Sequence, residues 1–149
     1  MALAVGLGCD RGTPFATVNQ VLDEALSLAG VEPSQLAVLA TIEAKADEAA
    51  FLELADTRGL PLRFYSAAQL AAVEVPNPSE TVRRYMGTPS VSEAAALLAA
   101  NTSIGVDADA LIVEKHKLRG PDGRNATISL ARVRNPAELD TNRSGSGDE

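Results

Sequence analysis

The chain opens on an apolar run, Leu3, Ala4, Val5 and Leu7, interrupted only by glycine, and this reads as a short buried strand. After Gly8-Cys9-Asp10-Arg11-Gly12-Thr13-Pro14 the period changes. Val18, Val21, Leu22, Ala25, Leu26 and Ala29 recur at helical spacing and predict a helix over Phe15–Ala29, with Gly30 as its stop. Thr13 is expected as its N-cap and Pro14 as its first helical residue. Leu36–Ile42 is apolar throughout at strand length, the pattern of a central parallel strand. A cluster of charge follows, Glu43-Ala44-Lys45-Ala46-Asp47-Glu48. Asp47 is expected to cap a helix over Glu48–Arg58, ended by Gly59, with Glu48 in a solvated first turn. Leu60–Tyr65 reads as a third strand, and Ser66 with Gln69 as the capping box of a short helix.

The second half is more broken. Pro76 and Pro78 make a rigid loop around Asn77, and Ser79 is placed to cap a helix running to about Met86. Gly87-Thr88-Pro89 repeats the tripeptide Gly12-Thr13-Pro14 and precedes an alanine-rich helix, Val91–Ala100. Ala110–Val113 begins a strand that passes into Glu114-Lys115-His116-Lys117. Gly120-Pro121-Asp122-Gly123 is turn chemistry, and Ala126–Val133 alternates with period two. The pair predicts a hairpin, which sets the final strand antiparallel. The order implies an α/β fold, three-layer α/β/α, with a mostly parallel (mixed) sheet and a C-terminal β-hairpin. One domain is expected over residues 1–134, and a disordered tail, containing Ser-Gly-Ser-Gly, over 135–149.

Composition sharpens this in three ways. Hydrophobic residues are 46% but aromatics only 3%, so Ala, Leu and Val must build the core. The net charge of −7 argues against general nucleic-acid binding. That charge is uneven: Asp109 to Arg134 holds six Lys/Arg against three Asp/Glu, leaving seven against seventeen elsewhere. One cysteine allows no internal disulfide, no signal peptide is visible, and no apolar run reaches the ~20 residues of a membrane helix. A cytoplasmic protein with no membrane partner is expected.

Chemistry concentrates in the loops. The glycines at 6, 8 and 12 are expected to turn the backbone toward a helix start beside Arg11, an arrangement that favours an anion by about 0.3–1 kcal/mol from the helix dipole. The spacing is neither a dinucleotide fingerprint, since Arg11 stands where a third glycine is needed, nor a P-loop. Cys9, next to Arg11 and a helix start, is expected to have a lowered thiol pKa if it is reactive, and otherwise to pack in the turn. Glu43 and Asp47 are candidate general bases with Lys45 as oxyanion partner; solvated charge and capping are the plainer roles. One His and one Cys cannot make an ordinary zinc site, so no metal of its own is expected. His116 is either a solvated strand residue or an axial ligand to a metal carried inside a cofactor. Lys45, Arg11, Lys115, Lys117 and Arg124 are of a type to ring a polyanion, with the two Thr-Pro helix starts adding N–H donors.

Five stretches occur together in order: Gly6–Pro14, Thr41–Glu48, Val75-Pro-Asn-Pro-Ser79, Gly87-Thr-Pro-Ser-Val91 and Gly123–Arg132. Together they resemble the CobE / CbiG C-terminal domain family of cobalamin biosynthesis, over roughly residues 3 to 133. The resemblance implies a role in building the corrin ring of vitamin B12. It also implies a site for a polycarboxylate tetrapyrrole intermediate, in which cobalt enters only within the bound corrin, and other cobalamin-biosynthesis enzymes as partners. Carried onto this chain, the ligand-binding set is Gly8, Cys9, Arg11, Gly12, Thr13, Lys45, Asn77, Gly87, Thr88, Lys115, Lys117 and Asn125. In fused relatives the domain follows others in a hydrolase that opens the ring δ-lactone and releases acetaldehyde. That activity is the alternative expectation, although this chain starts at the first motif and lacks the preceding domains. Its hairpin loop, Leu118 to Arg124, is also longer than the family's usual connection. A nucleotide-binding domain is a third reading, from the glycine turn alone.

Overall fold

The structure, a computed structural model, describes residues 1–88, 90–100 and 110–134. Five strands form one sheet: β1 (Leu3–Cys9), β2 (Leu36–Ile42), β3 (Leu62–Tyr65), β4 (Leu111–Arg119) and β5 (Asn125–Arg132). Their order is β3-β2-β1-β5-β4. β1, β2 and β3 run parallel, and β5 lies antiparallel between β1 and β4. The hairpin therefore inserts its second strand beside β1, and β1 becomes the central strand.

Helices cover both faces. On one lie α1 (Phe15–Ala29) and α2 (Ala49–Arg58); on the other lies α5 (Val91–Ala99), with the short α3 (Ala67–Ala71). The alternation of β1 decides which residues meet which helix. Leu3, Val5 and Leu7 are fully buried against Val18, Val21 and Leu22 of α1 and Phe51 and Leu54 of α2. Each such side chain contributes about 1.5–3 kcal/mol on burial. Ala4 points the other way, into a layer built from Ala94, Ala95, Ala96 and Leu97 of α5. There the packing is nearly backbone on backbone: a Cβ at Gly6 would run into the Ser92 carbonyl oxygen and the Ala96 amide nitrogen.

Several local expectations change. Gly6 and Gly8 lie inside β1, which continues to Cys9, so of the three glycines only Gly12 turns the chain, at φ 79°. α1 begins one residue late, with Pro14 as its N-cap. The Thr13 hydroxyl donates to the Asp10 carbonyl at 2.7 Å and so caps nothing. α2 is preceded by Glu48, not Asp47, and neither carboxylate caps it, because both are drawn to Arg11. β3 starts at Leu62, two residues after the expected Leu60. The second Gly-Thr-Pro is not a helix start either. Gly87 closes α4 (Glu80–Met86) in the left-handed conformation, and α5 is entered from Ser90. The capping box at Ser66 and the cap of α4 by Ser79 form as read. The expected tail over 135–149 lies outside the described residues.

A half-open candidate cleft at the end of the central strand

The loop after β1 is tied to its neighbours on both sides. Arg11 reaches across to the turn after β2, with Nη1 at 2.8 Å from Asp47 Oδ1 and 3.0 Å from Glu48 Oε2, and Nη2 donating to the Ala44 carbonyl at 2.9 Å. Glu48, 3% exposed, also accepts the Gly12 amide at 2.6 Å. On the other side Asp10 Oδ2 accepts both the backbone amide and the side-chain amide of Asn125, at 2.8 and 3.1 Å. Arg124 Nε donates to the Arg11 carbonyl at 3.1 Å. These contacts hold the carboxyl ends of β1 and β2 and the start of β5 in one place. In open α/β sheets ligands bind at such a point.

A cleft of about 450 Å³ opens there. Its floor is backbone and small side chains: Gly8, Cys9 and Thr127 from the sheet, and Ser90, Val91 and Ser92 from the start of α5. Its basic side carries Arg11, Lys45, Lys115 and Lys117, and Asp10 and Asn125 complete that rim. The far wall is α4, which contributes Val82, Tyr85 and Met86, with Ser79 and Thr81 at its start. Tyr85 is 77% exposed, and α4 has no buried residue. This helix is held through the loop before it. The Asn77 amide donates to both Glu93 Oε2 (2.7 Å) and Glu114 Oε1 (3.0 Å), and Lys115 Nζ donates to the Asn77 carbonyl at 2.9 Å.

The donors of this cleft differ in how they are satisfied. Arg11 is fully engaged, and Lys115 is bound to Asn77. Lys45 is only 8% exposed, and its ammonium makes no hydrogen bond or ion pair among the described residues. The Ser90 hydroxyl is also buried without a partner. A buried donor left unmade costs about 1–3 kcal/mol, more when charged. The start of α5, Ser90–Ser92, lines the same space, and a helix start favours an anion by about 0.3–1 kcal/mol. The ensemble is suited to accept carboxylate oxygens.

Of the expected ligand set, Gly8, Cys9, Arg11, Lys45, Lys115, Lys117 and Asn125 line this cleft; Gly12, Thr13, Asn77, Gly87 and Thr88 do not. Gly12 and Thr13 shape the loop behind it, and Asn77 braces its wall. Thr88 is buried with an unpartnered hydroxyl, away from the lining. Glu43 and Asp47, the candidate bases, also lie outside: Glu43 is exposed, and Arg11 holds the Asp47 carboxyl below the usual carboxylate range. Burial pushes the Cys9 thiol up to about 11, the reverse of the lowered pKa expected beside a helix start, and the nearby Lys45 offsets this only in part. His116 points to the opposite face of the sheet, where its Nε2 lies 2.7 Å from Glu24 Oε1 of α1, so the axial-ligand reading fails on geometry. Among the described residues no three His, Cys, Asp or Glu side chains cluster as a metal site. No helix among them is long and apolar enough to cross a membrane. Sequence reasoning missed Ser90 and the α4 wall. The Ser90-x-x-Glu93 spacing is that of a capping box, but Glu93 turns away to Asn77.

The family described as Cobalamin synthesis G C-terminus matches residues 3–131. The chain is 36% identical over 131 residues to a cobalt-precorrin-5A hydrolase of Priestia megaterium, covering 88% of this chain and 32% of that protein. It is 43% identical over 100 residues to protein CobE of a Sinorhizobium species, covering 66% of this chain and 65% of that one. The chain thus spans less than two thirds of the length of either relative. The crystal structure of CobE, a protein from the cobalamin (vitamin B12) biosynthetic pathway, matches with a TM-score of 0.70 at 31% identity, over 89% of this chain and 91% of that one.

Proposed function

We infer, from a chain that belongs to the family of the cobalamin synthesis G C-terminus and is thereby a cobalamin-biosynthesis protein, that its cleft binds a polycarboxylate tetrapyrrole intermediate of corrin synthesis. The observation that carries this reading is one cleft lined by Lys45, Lys115 and Lys117 together with the buried, unpartnered Ser90 hydroxyl. Tetrapyrrole intermediates offer acetate and propionate arms to such donors and a flat apolar ring to Val82, Tyr85 and Met86. Each exposed ion pair contributes only about 0–1 kcal/mol. Micromolar affinity, about −8 kcal/mol, therefore needs several polar contacts together with the ring's apolar burial. Cobalt, where present, arrives inside the bound macrocycle and needs no ligand from His116.

The hydrolase named among the relatives supplies a second reading, lactone opening with acetaldehyde release. It retains Lys45 as a place for an oxyanion. Of its candidate bases, Glu43 and Asp47 stand outside the cleft, Cys9 is held as a neutral thiol, and Asp10, on the rim, is engaged by the two amides of Asn125. Binding without turnover is therefore the better-supported reading. Titration with corrin-pathway polyacids, followed by an acetaldehyde assay on the same mixtures, tests both. Saturable binding without acetaldehyde is expected. Acetaldehyde released in proportion to protein and time would establish the hydrolase instead, and absence of any binding would refute the site.

A further inference from the structure

The edge strand β4 is irregular where it meets the cleft. Between Val113 and His116 it advances three residues, while β5, from Leu130 to Ile128, advances two. A bulge of this kind re-aims side chains. Val113 packs on the α1 and α2 face, and His116 points there too, toward Glu24. The residues between them, Glu114 and Lys115, both turn to the opposite face and meet Asn77. Asn77 Nδ2 donates to Glu114 Oε1 at 3.0 Å, and Lys115 Nζ donates to the Asn77 carbonyl at 2.9 Å. Opposite the bulge, the Ser129 hydroxyl donates to the Glu114 carbonyl at 2.6 Å and fills the gap in the ladder.

Asn77 is itself fixed from α5. Glu93 is fully buried and makes no ion pair among the described residues. Both its oxygens serve Asn77: Oε1 accepts the backbone amide at 3.2 Å, and Oε2 the side-chain amide at 2.7 Å. Pro76 and Pro78 offer no N–H and fix φ on either side. A buried carboxylate without a cation is costly, and an apolar side chain would fill the same space more cheaply. What Glu93 secures is the orientation of Asn77, and with it the place of the Lys115 ammonium on the basic side of the cleft. Beyond the one given to Asn77, that ammonium keeps further N–H groups for a ligand. Resting on the tetrapyrrole reading above, we propose that Glu93 and Asn77 are positioning residues that hold Lys115 at the cleft to take a carboxylate of the ligand. Glu93 touches no ligand and acts only through Asn77 and Lys115.

Charge alone and positioning predict opposite signs. Removing a carboxylate near a basic cleft should tighten a polyanion, whereas losing the residue that places Lys115 should loosen it. The probe is uroporphyrin, a fluorescent tetrapyrrole with acetate and propionate on every ring, titrated into wild type, Glu93→Gln, Lys115→Met and the double variant. In Glu93→Gln the new amide can accept from one Asn77 donor but turns its own NH2 on the other, and a flip of Asn77 would set its oxygen against Glu114. Lys115→Met is expected to weaken binding about tenfold and Glu93→Gln about fivefold, with no further loss from Glu93→Gln once Lys115 is gone. Glu114→Ala, at an exposed position, is expected to weaken binding about twofold by freeing one side of Asn77, and it carries the test of sign if Glu93→Gln does not fold. Where wild type does not bind uroporphyrin, the same cycle is run with a corrin-pathway polyacid. Glu93→Gln, or Glu114→Ala in its place, binding as tightly as wild type or more so overturns the positioning. So does an equal loss with and without Lys115, the mark of a merely structural role. Either result leaves the tetrapyrrole reading standing, because wild type still binds. If wild type binds neither uroporphyrin nor a corrin-pathway polyacid, both readings fall together.

Discussion

The two faces of the sheet are built from different materials. The face under α1 and α2 is packed with Leu, Val and Phe51, and its polar groups are paired: His116 with Glu24, and Arg58 with Asn19 and Asp23. The face under α5 is packed largely with alanine, with Gly6 at its closest contact, and where it reaches the end of β1 it leaves the Ser90 hydroxyl buried without a partner in a cleft shared with Lys45. β4 shows the contrast within three residues, since Lys115 and Lys117 line the cleft while His116 joins the paired face. Large side chains stabilise one layer by burial. Small ones on the other let the backbone of α5 come close enough to the sheet for its first turn to form the floor of a site. The unpartnered Ser90 hydroxyl lies on the face to which we assign the ligand.

The largest expected effect strikes that close approach. Gly6→Ala should destabilise the protein by about 3 kcal/mol, because its Cβ meets backbone that only a shift of α5 can clear. Gly8→Ala should leave the urea midpoint unchanged and weaken ligand binding several-fold by narrowing the floor. If both glycines behave alike, the contrast between a packing glycine and a cleft glycine is wrong.

Next comes the loop staple. Arg11→Ala should lower the melting temperature modestly, since it removes the cation from Asp47 and Glu48 while the Gly12 amide still serves Glu48. It should weaken binding less than a change at Lys45, because Arg11 is already engaged. His116→Ala, on the paired face, should cost well under 1 kcal/mol and leave binding untouched. An equal loss of affinity in the His116 and Lys45 variants would erase the distinction between the faces.

The smallest effect concerns Cys9. With its pKa near 11, about one thiol in a thousand is ionised at pH 8. Alkylation by iodoacetamide should accordingly be slow at that pH and speed up toward pH 11. The folded state favours the neutral thiol, so its contribution to stability is present below the unfolded value of 9.0 and is lost as pH rises toward 11. Rapid labelling at pH 7 would show a cleft wetter and more basic than described.

Much of this was legible in the sequence where the signal is local. Periodicity placed α1 and the parallel strands, Gly30 and Gly59 ended their helices, and the turn at Gly120–Gly123 announced the hairpin. The charge of Arg11, Lys45 and Lys115 suggested one ring for a polyanion, and all three line the cleft. What escaped depends on partners distant in sequence. Asp47 looks like a helix cap until Arg11, from another loop, claims it. Glu48 looks solvated until it receives the Gly12 amide. Gly6 looks like a turn residue until α5 packs on it. Nothing local marks Ser90 or Tyr85 as lining a cleft, and only the placement of α4 and α5 against the sheet brings them there.

The most direct test of the central claim is a calorimetric titration of wild type and Lys45→Met with the same polycarboxylate tetrapyrrole at low and high salt. The account predicts saturable wild-type binding, an affinity at least tenfold weaker in the variant, and a shallower salt dependence once the Lys45 ammonium is gone. Identical isotherms for the two proteins would contradict it.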